Sequence, residues 1–169
     1  MAGDPGNLLG RLALAAALLA LVVVSLGAYT RLSDSGLGCP DWPGCYGHLT
    51  VPRSADDLRR AEVAYPERPV EPAKAWIEMV HRYFAGALGL VIAAIAFLAW
   101  RRRGALAQGP ALPTGLLALV VFQALLGMWT VTLLLKPVVV MGHLLGGFTT
   151  LLLLWWLALR NTPLVPPGP

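Results

Sequence analysis

Four long stretches of this chain carry almost no charge, and they limit what it can fold into. Leu12–Thr30 has no charged side chain over 19 residues, Tyr83–Trp100 has none over 18, and Gly104–Leu135 has none over 32, with Pro110 and Pro113 interrupting the last. Pro137–Leu159 has no acidic or basic residue apart from His143. A helix crossing the hydrocarbon layer of a bilayer needs about 20 mostly apolar residues. These runs are too long for strands, and they lack the alternation of a membrane β-barrel. The pattern predicts an all-α membrane protein: one membrane domain over 1–169, built as a four-transmembrane-helix bundle. The expected helices cover about 8–29, 73–100, 113–135 and 137–160, with one long outer loop over 31–72.

Composition agrees with this. Only 13% of the residues are charged and mean hydropathy is +0.66, against about 25% charged residues in soluble domains. This argues against a soluble globular domain and excludes a disordered chain. The pI near 9.5 would suit nucleic acid, but the 13 Lys and Arg form no basic face, so the expected partner is the lipid bilayer and not nucleic acid.

The short loops predict orientation. Arg101, Arg102 and Arg103 close the second span, Arg160 closes the fourth and Arg11 opens the first. Basic residues mark the cytoplasmic ends of spans, so both termini are expected in the cytoplasm and the long loop outside, in the cell (inner) membrane. The apolar run of the first span exceeds a signal-peptide core and lacks a basic cluster before it, so a retained span is expected.

The outer loop contains Cys39-Pro-Asp-Trp-Pro-Gly-Cys45, with the chain's only two cysteines. Outside the cytoplasm the pair can oxidise. A structural disulfide is the favoured reading, and a redox-active one stands beside it. A zinc site of Cys39, Cys45 and His48 would lack a fourth ligand, and the Cys-x-x-Cys-His of covalent haem attachment is absent. Further along, Ser54-Ala-Asp-Asp-Leu-Arg-Arg-Ala-Glu reads as a short extracytoplasmic helix with Ser54 as its N-cap.

Two of the three histidines fall inside spans. His81 follows Lys74 by seven residues and His143 follows Lys136 by seven. Each therefore sits about 10 Å beyond its lysine, at matched depth in one leaflet. Ionisable residues inside a membrane are costly and usually functional. A single such histidine would read as one hydrogen-bonded within the bundle. Two at one depth point to a haem held between them. Small residues below each ring, Ala85 and Gly89 on one helix and Gly146, Gly147 and Thr150 on the other, would leave room for a flat macrocycle, or would serve ordinary close helix packing. Glu78 lies one turn before His81 with Arg82 at i+4. The two form either an ion pair near the interface or a carboxylate placed to relay a proton at the iron site. Arg31 and Arg82, near the outer interface, are candidates for haem propionates or snorkelling anchors. Gln123 reads as an interhelical hydrogen-bonding residue.

Four segments together resemble the haem A synthase family: Gly27-Ala-Tyr-Thr-Arg-Leu-Ser-Asp-Ser-Gly-Leu-Gly-Cys-Pro-Asp-Trp-Pro, Glu78-Met-Val-His-Arg, Gln123-Ala-Leu-Leu-Gly-Met-Trp-Thr-Val and His143-Leu-Leu-Gly-Gly. They occur in family order and touch all four spans. The family pattern has two four-helix halves, and this chain resembles the N-terminal one. The resemblance implies a membrane oxidoreductase that converts the haem O methyl group to the formyl of haem A for cytochrome oxidase. His81 and His143 would face the haem iron, Glu78 would assist catalysis, and Cys39 and Cys45 would pair in the outer loop. The implied cofactors are haem b, haem O as substrate, or both. The implied partners are a second copy or a separate protein supplying the other half, haem O synthase and cytochrome oxidase assembly proteins. The alternative function is a bis-histidine haem b electron-transfer or haem-handling subunit without turnover.

Overall fold

The computed structural model describes residues 5–104 and 109–161. Among these residues it is all-helical, with five helices: α1 (Pro5–Leu32), α2 (Ala55–Ala64), α3 (Pro72–Arg101), α4 (Ala111–Thr132) and α5 (Pro137–Asn161). All but α2 are long and apolar enough to cross a membrane. With no water in the hydrocarbon layer, a helix is the way each of these segments satisfies its own backbone N–H and C=O groups.

The four long helices form a ring. α1 packs on α3 and α5, and α4 packs on the same two, so α1 faces α4 and α3 faces α5 across the diagonals. The chain runs alternately up and down. One end of the bundle therefore carries the start of α1, the α3–α4 connection and the end of α5. We call this the terminal end. The other carries the 33–71 segment and the α4–α5 turn, and is the loop end.

The terminal half holds a continuous apolar core. On α1, Ala13, Ala16, Ala17 and Ala20 are buried at helical spacing, against Leu88, Ile92, Ile95 and Ala99 of α3, Leu116 of α4 and Leu154, Leu157 and Ala158 of α5. The alanine stripe lets neighbouring backbones approach closely, and the larger side chains of α3 and α5 fill the space it leaves. Trp100 Nε1 donates to Thr114 Oγ1 at 2.9 Å, tying α3 to α4 at this end.

Prolines open three of the long helices, α1 at Pro5 among them. Pro72 and Pro137 stand at the first helical position, where the missing N–H costs nothing. The expected third span runs to 135, but α4 ends at Thr132. Leu134 and Leu135 take left-handed conformations, φ 53° and 56°, and the Leu135 N–H donates back to the Thr130 carbonyl at 2.8 Å. The apolar run thus continues through a tight turn, because Pro137 must start a new helix in the opposite direction.

The loop end has its own small core. Cys39 and Cys45 form a disulfide, and with Tyr46, Val51, Ala61, Ala75 and Met79 they make a second buried cluster. The Asp41 carboxylate accepts from the N–H groups of Tyr46 (2.6 Å) and Gly47 (2.8 Å). It thereby holds the turn in which both residues have positive φ. The Tyr46 hydroxyl donates to the Pro69 carbonyl. Burial, and then the charge of Glu71, raise its pKa. Ser54 caps α2, its Oγ accepting from the Asp57 N–H. This bond, and secondarily the nearby His48, holds the Asp57 carboxyl below its usual range.

Candidate functional site

Between the two apolar clusters lies a polar layer. Its buried members are Thr30, Glu78, Gln123 and Thr150, with His81 and His143 beside them. His81 is on α3 and His143 on α5, so the two imidazoles come from diagonally opposed helices.

Each ring lies against a glycine of a neighbouring helix. A Cβ on Gly27 of α1 would stand 3.0 Å from His81 Cε1, and one on Gly127 of α4 would stand 3.4 Å from His143 Cε1. α1 also fixes the relative height of the two rings. A Cβ on Gly147 would touch Val24 Cγ2 at 3.6 Å. Gly147 is one turn beyond His143, and Val24 is one turn before Gly27. Because α1 and α5 run in opposite directions, Gly27 and His143 share a level. His81, lying on Gly27, shares it too.

The two histidines differ in their bonding. His143 Nδ1 is 3.1 Å from Gln123 Oε1, and Gln123 Nε2 donates to the His143 carbonyl at 3.1 Å. His81 Nδ1 is buried with no hydrogen-bond partner. A buried polar atom without a partner is costly in a packed protein, and such atoms call for an explanation. No cluster of three or more His, Cys, Asp and Glu side chains occurs among the described residues. The donor set is therefore two imidazoles from opposite sides, which fits haem iron and falls short of the four ligands of a closed zinc site.

Glu78, one turn before His81, is 4% exposed. Its Oε2 accepts from the Cys39 N–H at 2.9 Å and its Oε1 from Arg82 Nη2 at 2.5 Å. Arg82 Nη1 donates in turn to the carbonyls of Asp41, Pro43 and Gly44. The disulfide loop is thus fastened to α3 by one carboxylate and one guanidinium. Its backbone can come this close because residue 38 is glycine: a Cβ there would lie 2.6 Å from the Lys74 carbonyl carbon. Arg31 is exposed at the loop end of α1.

Glu78, His81, Arg82 and the cysteine loop are thus brought together, and His143 joins His81 in the polar layer. The space expected beside Gly146 is filled from within: a Cβ there would meet the Gln123 amide, with Cδ at 2.7 Å. Gly89 has nothing near it. Gly27 and Gly127 were the positions that spacing did not single out, since each acts on a ring from another helix.

Residues 10–166 match the family described as cytochrome oxidase assembly protein. The chain is 53% identical over 143 residues to a heme A synthase of Shewanella oneidensis, covering 85% of this chain and 42% of that protein. It is 33% identical over 133 residues to a heme A synthase of Rhizobium meliloti, covering 70% of this chain and 36% of that protein. It therefore spans less than half the length of these relatives. No solved structure matches it significantly. With four spans, a histidine pair and a match over nearly its whole length, the chain belongs to the cytochrome oxidase assembly protein family of integral membrane proteins.

Proposed function

We propose that the chain serves haem A biosynthesis for cytochrome oxidase. It binds haem O between His81 and His143, and the methyl group of that haem is oxidised to the formyl of haem A. The observation that carries this reading is the pair of imidazoles at one level on diagonal helices, in a chain homologous to heme A synthases. Haem, when bound, supplies the redox-active iron and, as haem O, the carbon to be oxidised.

The protein's own residues do the rest. His81 and His143 orient the macrocycle across the bundle. Arg31 and Arg82 pair with its propionates, Arg82 through the N–H donors left after its bonds to Glu78 and the loop. Turning a methyl into a formyl group with the oxygen of one water releases four protons and four electrons, the electrons leaving to an acceptor outside this chain. Glu78, one turn from His81, accepts protons there, each of its oxygens keeping a lone pair beside its one hydrogen bond. A second copy, or a separate protein, supplies the part that the longer relatives carry in one chain. Haem b in that part, haem O synthase and other assembly proteins complete the system. The loop end lies outside the cytoplasm, in the cell (inner) membrane, with both termini inside.

A haem b electron-transfer or haem-handling subunit without turnover is the second reading. It is favoured by the structural use of the Glu78 carboxylate in fastening the Cys39 loop. Glu78→Gln separates the two. Purified with haem O supplied, this variant is expected to keep its bound haem and spectrum while product formation falls by about a hundredfold or more. Full retention of product formation would remove Glu78 from the chemistry and favour the carrier.

A further inference from the structure

The Gln123 amide meets both the main chain and the ring of His143, and only one arrangement of donors and acceptors satisfies both contacts. The His143 carbonyl can only accept, so the amide NH2 must face it, as Gln123 Nε2 does at 3.1 Å. Turning the amide over would set oxygen against oxygen. With the amide fixed this way, its oxygen faces His143 Nδ1 at 3.1 Å. An oxygen acceptor there requires the proton on Nδ1, which in the uncharged ring leaves Nε2 with its lone pair.

Gly146 completes the device. It lies one turn beyond His143 on α5, and a Cβ at this position would stand 2.7 Å from Gln123 Cδ and 3.0 Å from Gln123 Oε1. The amide occupies the volume that any other residue at 146 would fill. His81 has no counterpart, since its Nδ1 has no partner at all.

We propose that Gln123 is a positioning residue that locks the tautomer and ring plane of His143, and that Gly146 is glycine to admit its amide. His143 is the pre-set side of the pair, and the His81 ring has no such hydrogen-bond lock at Nδ1. The tautomer stands on geometry alone. Its use, presenting Nε2 to haem iron, rests on the function proposed above. Carbonyl and carboxylate oxygens that accept the second ring N–H of a histidine ligand orient the ligand and tune its basicity, and losing them typically costs about ten- to a hundredfold in affinity.

Nitrogen NMR of the haem-free protein in detergent, with labelled histidine and His143 assigned by its absence in His143→Asn, tests the lock directly. At mildly alkaline pH, His143 is expected to carry its proton on Nδ1. Gln123→Leu and Gly146→Ala, the second displacing the amide without removing it, should each shift it to a mixture of tautomers. A proton on Nε2 in the unsubstituted protein, or an unchanged tautomer in both variants, overturns the proposal. In the haem-titrated protein both variants should bind haem about ten- to a hundredfold more weakly, with a shifted midpoint potential. If the NMR result holds but haem affinity and potential do not move, the positioning role is overturned while the tautomer stands. If His143→Asn itself keeps haem unchanged, the ligand reading fails separately. Equal elution volume and helicity of the variants show that folding is not the cause.

Discussion

The two halves of the bundle are held by different physics. In the terminal half, Ala13, Ala16, Ala17 and Ala20 pack on Ile92, Ile95, Leu154 and Leu157 in one apolar cluster. In the loop half, contacts are specific and polar: Glu78 to Cys39 N–H, Arg82 to three carbonyls, Gln123 to His143, Asp41 to two N–H groups. The first half can lose a methylene and still be the same bundle. In the second, losing the Arg82 guanidinium takes a charged donor from the buried Glu78 carboxylate. Apolar packing dominates one end, and the residues that could do chemistry lie at the other, where Glu78, Arg82 and His143 are each held by a partner and His81 Nδ1 is not.

The largest effect that would sharpen this contrast is expected from Arg82→Met. It takes the charged partner from the buried Glu78 carboxylate and the side-chain donor from the carbonyls of Asp41, Pro43 and Gly44, so about 3–5 kcal/mol should be lost. The loss should be read chiefly as release of the 33–71 segment to protease, with the spans still helical. Cooperative loss of the whole bundle would show that the halves are not separable. Ile92→Ala, in the terminal core, should cost about 2–5 kcal/mol through the cavity it leaves. Thermal unfolding in detergent should register that cost, while the haem spectrum stays unchanged. A changed spectrum would break the comparison from the other side. Ser54→Ala should cost about 1 kcal/mol, confined to α2. Because the folded Asp57 carboxyl is held below 3.8, its contribution to α2 is present above pH 3.8 and is lost as pH falls through its lower folded value. Amide exchange of α2 across an acid titration should show that loss, and none in the bundle core.

Much of the architecture was legible in the chain itself. Uncharged runs give the four spans because the bilayer penalises charge directly. Helical spacing puts Glu78, His81 and Arg82 on one face, and counting from Lys74 and Lys136 puts the two histidines at one depth. What spacing could not supply were partners distant in sequence. Arg82 at i+4 is visible from Glu78, whereas the Cys39 N–H is not, because the loop must first fold back over Gly38. Gln123 reads only as some interhelical hydrogen-bonding residue until α4 is set beside α5, and Gly146, one turn from a histidine, looks like space for a macrocycle when it is space for the Gln123 amide. The end of α4 was hidden for a related reason: Leu133, Leu134 and Leu135 are as apolar as the helix before them, and their turn follows from the reversal into Pro137.

The central claim, that this polar layer holds haem between His81 and His143, is tested most directly by the haem content and absorption spectrum of the purified chain beside His81→Ala and His143→Ala. The account predicts bound haem in the unsubstituted protein and its loss, or a changed axial-ligand spectrum, in each variant. Normal haem content and an identical spectrum in both variants would contradict it.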